Sequence, residues 1–388
     1  MNVTPPLALY FHWPFCLSKC AYCAFNSVAS PPLPFVEEKQ WVQALIVSFD
    51  WHVQHILQNR APFYAIQSIF FGGGTPSLLH PESIYTLIKH VRTLWPFDLK
   101  ATEITLEANP DTLTADRLIS FFEAGINRLS LGVQALNNAD LAHLGRTHSL
   151  ERALQVISWI SKVFANYNLD FIYKRPGQSL KMWETELEQI CTFNSPHLSL
   201  YELTIEPGTP LADPMKKFSV KTERFLETTL RFMQKKGYSA YEISNFCRPH
   251  HACAHNLAYW HYQEYLGIGP GTHSRIGQRS ERTAFTALSD LHKWRISVAD
   301  TGGIATTTPL SSKERLIEHL LMGLRLEEGI SWHQLEDNAG TSYVDTLCAS
   351  SHFKMLQEKN ILIVTQNGIK ASHQGRLQID AIVDYLNI

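Results

Sequence analysis

The strongest constraint on the fold is an alternation of short apolar runs with helix-length amphipathic stretches between residue 7 and about residue 204. The apolar runs are rich in Val, Ile, Leu, Phe and Tyr, which predicts buried strands. Repeated strand–helix units predict an α/β fold with a parallel sheet buried on both faces. The predicted strands are 7–12, 66–71, 103–108, 127–133, 167–173 and 197–203, and the predicted helices lie near 35–59, 80–95, 114–124, 149–163 and 179–193.

Six such units with right-handed crossovers favour a partial (β/α)6 barrel over a flat sheet. In parallel α/β barrels the chemistry is carried by the loops at the carboxyl ends of the strands. Distinctive segments follow the predicted strands here, so we expect one rim of the barrel to collect them. They are a cysteine cluster, the glycine run GGGTP at 72–76, Glu107, Gln134, Asp170 and the segment YELTIEPGTP.

Composition limits the classes of function. Hydrophobic residues make up 45% of the chain and charged residues 18%, without an apolar run long enough for a spanning helix, which indicates a soluble globular protein. The net charge of −2 argues against a nucleic-acid partner. The first residues lack the basic and apolar regions of a secretory signal, so the cytoplasm is expected.

A second pattern begins near residue 310. Helices near 311–325, 331–338 and 344–358 precede an apolar hairpin with an Asn367-Gly368 turn and a final helix, which predicts a winged-helix-like domain. Its mixed charge favours a structural or docking role over DNA binding. The predicted domains are a barrel at 1–245, a motif-bearing connecting segment at 246–309 and the winged-helix-like domain at 310–388.

The segment FCLSKCAYCAF at residues 15–25 places Cys16, Cys20 and Cys23 in a C-x3-C-x2-C spacing. Seven cysteines, three of them clustered, do not suit a disulfide framework. A [4Fe–4S] cluster held by three cysteines keeps one iron open for an exogenous ligand. Two alternatives are a zinc site completed by His12 and three unrelated thiols, but neither explains GGGTP.

This spacing after a first barrel strand resembles the radical S-adenosylmethionine (SAM) superfamily, in which an aromatic residue such as Tyr22 precedes the last cysteine. The resemblance implies that Cys16, Cys20 and Cys23 bind a [4Fe–4S] cluster whose open iron binds SAM. In this superfamily a one-electron reduction can cleave SAM to a 5′-deoxyadenosyl radical. The GGGTP run matches the segment that contacts the SAM amino group.

Longer segments extend the resemblance over almost the whole chain, among them YFHWPFCLSKCAYCAFNS, AGINRLSLGVQALNNADLAHLGRTHS and YLGIGPGTHS. They resemble the oxygen-independent coproporphyrinogen III oxidase-like branch, and within it the HemW type of haem chaperone. The resemblance implies three cofactors: the cluster, SAM and haem. It also implies the cofactor-contacting positions Tyr10, Tyr22, Gly73, Gly74, Thr75, Glu107, Gln134, Arg146 and Asp170.

The HNLAYW motif, residues 255–260, matches the HNxxYW motif associated with haem binding in the HemW group. An imidazole can ligate haem iron and aromatic rings can cover the macrocycle. The residues implied are His255, Asn256, Tyr259 and Trp260. Cys253, His250 and His251 lie close enough in the sequence to be rival ligands.

The chain departs from the family pattern at two places. It has Ala24-Phe25-Asn26 where relatives commonly have Asp-Phe-Asn, and the porphyrinogen dehydrogenases of the branch carry a further cysteine at the position of Phe25. It has Lys174-Arg175 where the family has Gly-Leu, which restricts the backbone and adds charge. We expect a shifted loop or altered SAM contacts there.

The leading hypothesis is a haem chaperone, cytoplasmic or at the membrane periphery, that hands haem to a respiratory acceptor protein. Two enzyme alternatives are oxidative decarboxylation of coproporphyrinogen III and radical SAM chemistry on an unrelated substrate. Phe25 and the short segment before Cys16 argue against the first. No catalytic residue is assigned, and SAM cleavage, the electron donor and the choice between monomer and dimer stay open.

Overall fold

The computed structural model describes residues 5–57, 64–212 and 222–388. Strands and helices alternate through the first two hundred residues. The strands are β1 (Pro6–Trp13), β2 (Phe15–Cys16), β3 (Val28–Ala29), β4 (Ala65–Gly73), β5 (Glu103–Ala108), β6 (Arg128–Gln134), β7 (Asn166–Tyr173), β8 (His197–Glu202), β9 (Ser239–Ala240), β10 (Asn245–Cys247), β11 (Glu264–Ile268), β12 (His273–Ile276), β13 (Thr283–Ala287), β14 (Ile304–Pro309), β15 (Ile330–Ser331), β16 (Leu362–Val364) and β17 (Gly368–Ala371).

Most of the helices pack around these strands, and the last six belong to the C-terminal part of the chain. They are α1 (Phe35–His55), α2 (Pro81–Leu94), α3 (Ala115–Glu123), α4 (Asn138–His143), α5 (Leu150–Val163), α6 (Leu180–Thr192), α7 (Thr222–Lys235), α8 (Ala254–Trp260), α9 (Leu291–Thr301), α10 (Ser312–Gly323), α11 (Trp332–Ala339), α12 (Thr341–Ala349), α13 (Ser351–Glu358), α14 (His373–Arg376) and α15 (Ile379–Leu386).

The main sheet confirms the predicted partial (β/α)6 barrel. Its six central strands pair in parallel in the order β1-β4-β5-β6-β7-β8. Strand β11 pairs in parallel with the other side of β1, and β12, β13 and β14 continue from it antiparallel. Because β9 and β14 form opposite edges of the described sheet, the barrel is open.

Local sequence explains why the helices cover this sheet. Helix α2 buries Ile84, Leu87, Ile88 and Val91, the i, i+3, i+4, i+7 pattern of one helical face. Helix α3 begins where the side chain of Thr114 accepts a hydrogen bond from the backbone N–H of Arg117, and α5 and α6 begin at serines that act in the same way. The predicted strands and helices up to residue 204 therefore agree with the structure within a few residues.

The segment after residue 204 contains more regular structure than its sequence pattern predicts. Strands β11 to β14 place residues 264–309 in the same sheet as the barrel. The predicted single helix 344–358 is wrong, because Ser350 is extended and separates α12 from α13. Its hydroxyl accepts a hydrogen bond from Phe353 N, so a serine that seemed to lie inside a helix starts a new one.

The C-terminal domain has a core of its own, built from residues such as Leu316, Leu335, Phe353 and Ile382. Strands β16 and β17 form the predicted hairpin, and β15 adds a third strand. These helices and the hairpin confirm the winged-helix-like prediction.

Polar contacts dock this domain against the barrel. Glu318 accepts hydrogen bonds from Arg275 and Tyr262, and Arg325 pairs with the fully buried Glu242. None of the helices in the described ranges is both long and apolar enough to cross a membrane.

Candidate functional site

A cavity of about 450 Å³ lies at the carboxyl ends of the parallel strands. The predicted rim therefore exists, and most of the predicted cluster and SAM residues meet there. The exception is Tyr10, which is not among the lining residues and whose hydroxyl group contacts His12. The lining includes Cys16, Cys20, Tyr22, Cys23, Gly73, Gly74, Thr75, Glu107, Gln134, Arg146 and Asp170.

The cysteine loop is held at both ends. Strand β2 pairs with β3, so Cys16 and Val28 stand at the base of the loop, and Ser30 N donates to Cys16 O. Ala21 N donates to the backbone carbonyl of Leu144, which joins the loop to the segment before Arg146. Burial raises the pKa of the Cys16 thiol, although hydrogen bonds from Thr75 and Ser27 oppose this effect. All seven cysteines are free of disulfides.

The glycine run allows the second strand to approach the cysteine loop. Gly74 N donates to Trp13 O, and a Cβ atom at Gly74 would lie 2.9 Å from Cys16 Sγ and 2.7 Å from Phe15 O. Gly73 has φ +112°, a conformation that favours glycine. The side-chain-free backbone at 73–74 thus forms a cradle beside the first thiol.

The three thiols do not converge on one metal position. In the parts of the chain that the structure describes, no three His, Cys, Asp or Glu side chains lie close enough to share one metal ion. His12 cannot complete a zinc site without rearrangement, because Tyr10 OH lies 3.1 Å from its Nδ1 and Asn26 O lies 2.8 Å from its Nε2. In a cubane each cysteine binds a different iron, so the thiols need not converge on one point.

Arg146 connects the cysteine loop to the cavity floor. Its guanidinium donates to Cys20 Sγ at 3.3 Å, to Asn109 Oδ1 at 2.5 Å and to Gly132 O at 3.0 Å. Burial by itself lowers the pKa of Arg146, but Tyr22 and Cys20 outweigh burial and raise it. A permanent cation therefore lies against the second thiol.

Two carboxyl groups line the cavity, Glu107 on β5 and Asp170 on β7. Burial, followed by the charge of Asp170, raises the pKa of Glu107 to about 8, and Gly73 N donates to its Oε2 at 3.2 Å. Burial also raises the pKa of Asp170, which accepts hydrogen bonds from Asn168 and Ser130. These groups can accept hydrogen bonds from ligand hydroxyl or amino groups.

Gln134 lies at a bulge between β6 and β7. The register shifts between Gly132 and Gln134, and Gln134 has φ +71°, which is uncommon for a residue with a side chain. A Cβ atom at Gly132 would lie 2.8 Å from Gln134 Nε2. The absence of a side chain at Gly132 and the bulge together allow the side-chain amide of Gln134 to reach the cavity.

Several residues of the cavity lining were not predicted from the sequence. Ser130 and Gly132 precede Gln134 at alternate positions, and Ile172 lies two positions beyond Asp170. The two-residue period of strands could have found them, since alternate residues share one face. Lys19 and Phe25, which flank the cysteines, also line the cavity, and the segment YELTIEPGTP contributes to the rim as predicted, through Tyr201, Glu202, Leu203, Thr204 and Glu206.

The HNLAYW motif lies at the other end of the barrel. Helix α8 covers the amino ends of the strands, because Glu103 at the start of β5 accepts hydrogen bonds from the backbone N–H groups of Ala254 and His255. His255 is 2% exposed and stacks on Phe70, with ring centroids 4.8 Å apart. The motif is therefore separated from the cysteine loop by the barrel interior.

Both ring nitrogens of His255 have partners. Ser68 Oγ lies 2.9 Å from Nδ1 and Tyr259 OH lies 3.2 Å from Nε2. Burial, and then the charge of Arg128, lowers the pKa of His255 to about 3, so the ring is neutral. Its Nε2 can ligate a metal only if the Tyr259 contact breaks.

The remaining motif residues are more accessible, and one of them meets the C-terminal domain. Asn256 and Trp260 are half-buried, and Asn256 donates to Tyr241 OH. The Arg325 guanidinium lies 4.6 Å from the Trp260 ring centroid. The motif is thus enclosed between the barrel and the C-terminal domain.

The rival haem ligands differ in accessibility. Cys253 is fully buried and burial raises its pKa to about 12, which disfavours a thiolate ligand. His250 is exposed and His251 is half-buried.

Comparisons with known proteins agree with this geometry. Residues 10–190 match the family model of the radical SAM superfamily, and residues 310–377 match that of the HemN C-terminal domain. The chain is 34% identical to the mitochondrial radical S-adenosyl methionine domain-containing protein 1 of Danio rerio, covering 97% of this chain and 86% of that protein. It is 39% identical to the heme chaperone HemW of Escherichia coli K12 over 70% of this chain and 71% of that protein.

The fold also matches a solved structure. Coproporphyrinogen III oxidase (HemN) from Escherichia coli, a radical SAM enzyme, superposes with a TM-score of 0.79 at 23% identity. The match covers 98% of this chain and 90% of that one. At this identity the likeness concerns the fold.

Proposed function

Because the chain belongs to the radical SAM superfamily, in the coproporphyrinogen III oxidase-like branch that includes the HemW haem chaperones, we propose that it is a haem chaperone. In this proposal it binds a [4Fe–4S] cluster, SAM and haem, and delivers haem to a respiratory acceptor protein. The observation that carries the proposal is the combination of a three-thiol cavity with a separate HNLAYW helix in one chain that aligns with HemW relatives.

The cavity residues fit the cluster and SAM. Cys16, Cys20 and Cys23 would hold three irons, and the cradle at Gly73–Gly74 leaves room beside Cys16. Thr75, Glu107, Gln134, Arg146 and Asp170 supply the polar groups that would orient SAM. When bound, a reduced cluster supplies an electron to SAM. Tyr22 lines the cavity, whereas Tyr10 lies outside the lining and stacks on Phe70.

We assign haem contact to the HNLAYW motif, through His255, Asn256, Tyr259 and Trp260. Ligation by His255 requires its contact with Tyr259 to break, whereas His250 is exposed to solvent. In either case haem binds at the amino end of the barrel. The iron of haem would then lie apart from SAM, which suits storage and transfer of intact haem better than radical chemistry on it.

The proposal also includes the location of the protein in the cell and its division into domains. We place it in the cytoplasm, with peripheral membrane contact during delivery to the acceptor. We propose a division into a barrel (1–245), a haem-motif segment (246–309) whose strands β11 to β14 continue the barrel sheet, and a winged-helix-like domain (310–388), which separates the cofactor sites from a docking domain.

One observation supports an enzymatic function as the second candidate. The same cavity that would hold SAM opens to solvent beside Phe25, which is 67% exposed. A porphyrinogen could lie across this opening, as oxidative decarboxylation of coproporphyrinogen III requires. The chain has Phe25 at the position where the porphyrinogen dehydrogenases of the branch carry a further cysteine. This difference favours the chaperone.

Anaerobic reconstitution separates these functions. The reconstituted protein is titrated with haem and assayed in parallel for coproporphyrinogen III turnover in the presence of SAM and dithionite. We expect stoichiometric haem binding and no protoporphyrinogen. Turnover would establish the dehydrogenase. If the protein neither binds haem nor turns over coproporphyrinogen III, the result points to an unrelated substrate.

A cluster-free variant sharpens the test. Replacing Cys16, Cys20 and Cys23 by alanine should abolish the brown cluster absorbance but leave haem binding within about twofold, because the two sites lie at opposite ends of the barrel. The matched control is Cys191→Ala, which removes a thiol outside the cavity and should keep full iron content. Loss of haem binding in the triple variant would contradict the separate haem site.

A further inference from the structure

We propose that Arg175 is a positioning residue that holds Gln134 in the SAM cavity. Arg175 lies outside the cavity lining, whereas Gln134 is part of it. The inference rests on the proposed SAM site and is independent of haem.

The Gln134 backbone needs external support. Its φ of +71° and the bulge beside it belong to a conformation that costs free energy for a residue with a side chain. Such a conformation persists when the surrounding structure fixes it from several sides.

Arg175 supplies that support from the end of β7. It is 3% exposed, and its Nη1 donates to Ile172 O at 2.5 Å and to Gln134 O at 3.4 Å. One guanidinium therefore bridges the carbonyl groups of two neighbouring strand ends. Both strands carry side chains that line the cavity, Gln134 on β6 and Asp170 and Ile172 on β7.

The remaining guanidinium atoms bind two carboxylates. Nε donates to Asp140 Oδ2 at 2.9 Å and Nη2 donates to Glu186 Oε2 at 2.5 Å. Glu186 in turn accepts a hydrogen bond from Leu136 N at 2.9 Å. The loop that leaves Gln134 is thus fixed at residues 134, 136 and 140 by one buried network.

The network explains the unusual Lys174-Arg175 pair. Lys174 has φ +59°, the left-handed conformation in which a glycine would be unstrained, and its Nζ lies 2.5 Å from Glu202 Oε1. The loop therefore keeps a glycine-like backbone, and Arg175 turns into the protein instead of adding charge to the cavity. An apolar side chain at 175 would leave the Gln134 carbonyl and both carboxylates without this donor.

A double-mutant cycle tests whether Arg175 acts through Gln134. The SAM dissociation constant of reconstituted protein is measured by equilibrium dialysis for wild type, Arg175→Leu, Gln134→Ala and the double variant. We expect Arg175→Leu to weaken SAM binding about tenfold in the wild-type background and less than about twofold in the Gln134→Ala background.

A second readout needs no cofactor. In Arg175→Leu, hydrogen–deuterium exchange of the peptide covering 131–140 should become faster, because Leu136 N loses the oriented Glu186 carboxylate. The matched control is Arg315→Leu, which removes another buried arginine that binds backbone carbonyls, in the C-terminal domain. It should lower stability without changing SAM affinity or exchange at 131–140.

Arg175→Lys replaces Arg175→Leu in the cycle if the leucine variant does not fold, because lysine keeps the charge but lacks the guanidinium fork. Equal loss of SAM affinity in both backgrounds, or no loss in either, overturns the proposal. Absence of SAM binding by the wild-type protein contradicts the proposed function instead.

Discussion

Gly74 shows how a residue without a side chain can control the position of a thiol that we propose as a cluster ligand. A Cβ atom there would lie 2.9 Å from Cys16 Sγ and 2.7 Å from Phe15 O, both closer than real Cβ contacts allow. The backbone oxygen belongs to a paired strand and cannot move freely. The position of the Cys16 thiol therefore depends on the absence of a side-chain methyl group at Gly74, directly after β4.

We expect Gly74→Ala to lower the cluster content of reconstituted protein by more than half, although it removes no ligand. Iron and sulfide analysis, together with absorbance near 400 nm, measures the cluster content. The expected loss corresponds to the displacement of one cluster ligand. Gly340→Ala is the control for a strained glycine site away from the cavity: Gly340, unlike Gly74, lies at positive φ, but a Cβ there meets no atom within 4 Å. Full cluster content in Gly74→Ala would show that the thiol moves aside without cost.

Glu107 predicts a pH dependence of SAM binding. Burial, and then Asp170, raises the pKa of Glu107 to about 8, so the ligand-free carboxyl group is protonated at neutral pH. Ribose hydroxyl groups donate to the ionised form, so binding expels this proton below pH 8. We expect the SAM affinity to rise by up to about tenfold per pH unit towards pH 8 and then to level off.

Dialysis between pH 6 and 9 on wild type and Glu107→Gln measures this effect. Titration of SAM itself is common to both proteins, so the difference between the two curves belongs to Glu107. Parallel curves would assign the pH dependence to another group.

At the residue scale, the sequence predicted which side chains line the cavity better than it predicted the residues that support them. Cysteine spacing and strand-end polar residues indicated Cys16, Glu107 and Gln134 correctly as cavity residues. Arg175 could not be predicted as a buried residue, because its burial depends on Asp140 and Glu186, which come from two other elements. Support of this kind is a tertiary property.

Among the elements, α8 has the least expected position. Its sequence contains a motif expected to meet haem, yet it packs His255 into the barrel between Phe70 and Tyr259. The helix is short and follows a segment without a regular pattern, so sequence periodicity does not indicate which face is buried. The six βα units were predictable because each strand is a short segment rich in apolar residues that alternates with an amphipathic helix.

His255→Ala should destabilise the fold and weaken haem binding together. The buried hydroxyl groups of Ser68 and Tyr259 lose a partner, which costs about 1–3 kcal/mol each in free energy of unfolding. Ser68→Ala is the matched control, because it loosens the same packing but keeps the imidazole. Urea unfolding and haem titration are measured on both variants.

A larger loss of haem affinity in His255→Ala than in Ser68→Ala supports a direct haem contact. Equal haem affinities in the two variants would remove His255 from the haem site and favour His250, which is exposed in front of the same helix.

For the whole molecule, the interface between the barrel and the C-terminal domain is polar. Glu318 accepts from Arg275 Nη2 at 2.7 Å and from Tyr262 OH at 2.7 Å, and both acidic and basic side chains are about one-fifth exposed. This docking was not predictable, because the segment that carries Tyr262 and Arg275 showed no regular pattern. The domain fold itself was predictable from its helix and hairpin signals.

Glu318→Gln should lower the free energy of unfolding by about 2 kcal/mol, because Arg275 stays partly buried without a counter-charge. Urea unfolding measures the loss, and limited proteolysis should cut faster near residue 310. Glu184→Gln breaks the exposed pair with Lys181 and should change stability by less than about 0.5 kcal/mol. Similar stabilities of the two variants would show that the interface is held by its apolar contacts.

Enclosure of α8 between the barrel and the C-terminal domain also has a kinetic consequence. If His255 ligates haem, the helix or the domain above it must open first, and opening is a first-order step. The observed rate of haem uptake in a stopped-flow experiment then reaches a plateau as the haem concentration rises, instead of increasing linearly. Release to an acceptor meets the same barrier, so haem held at this site is retained by slow opening as well as by affinity.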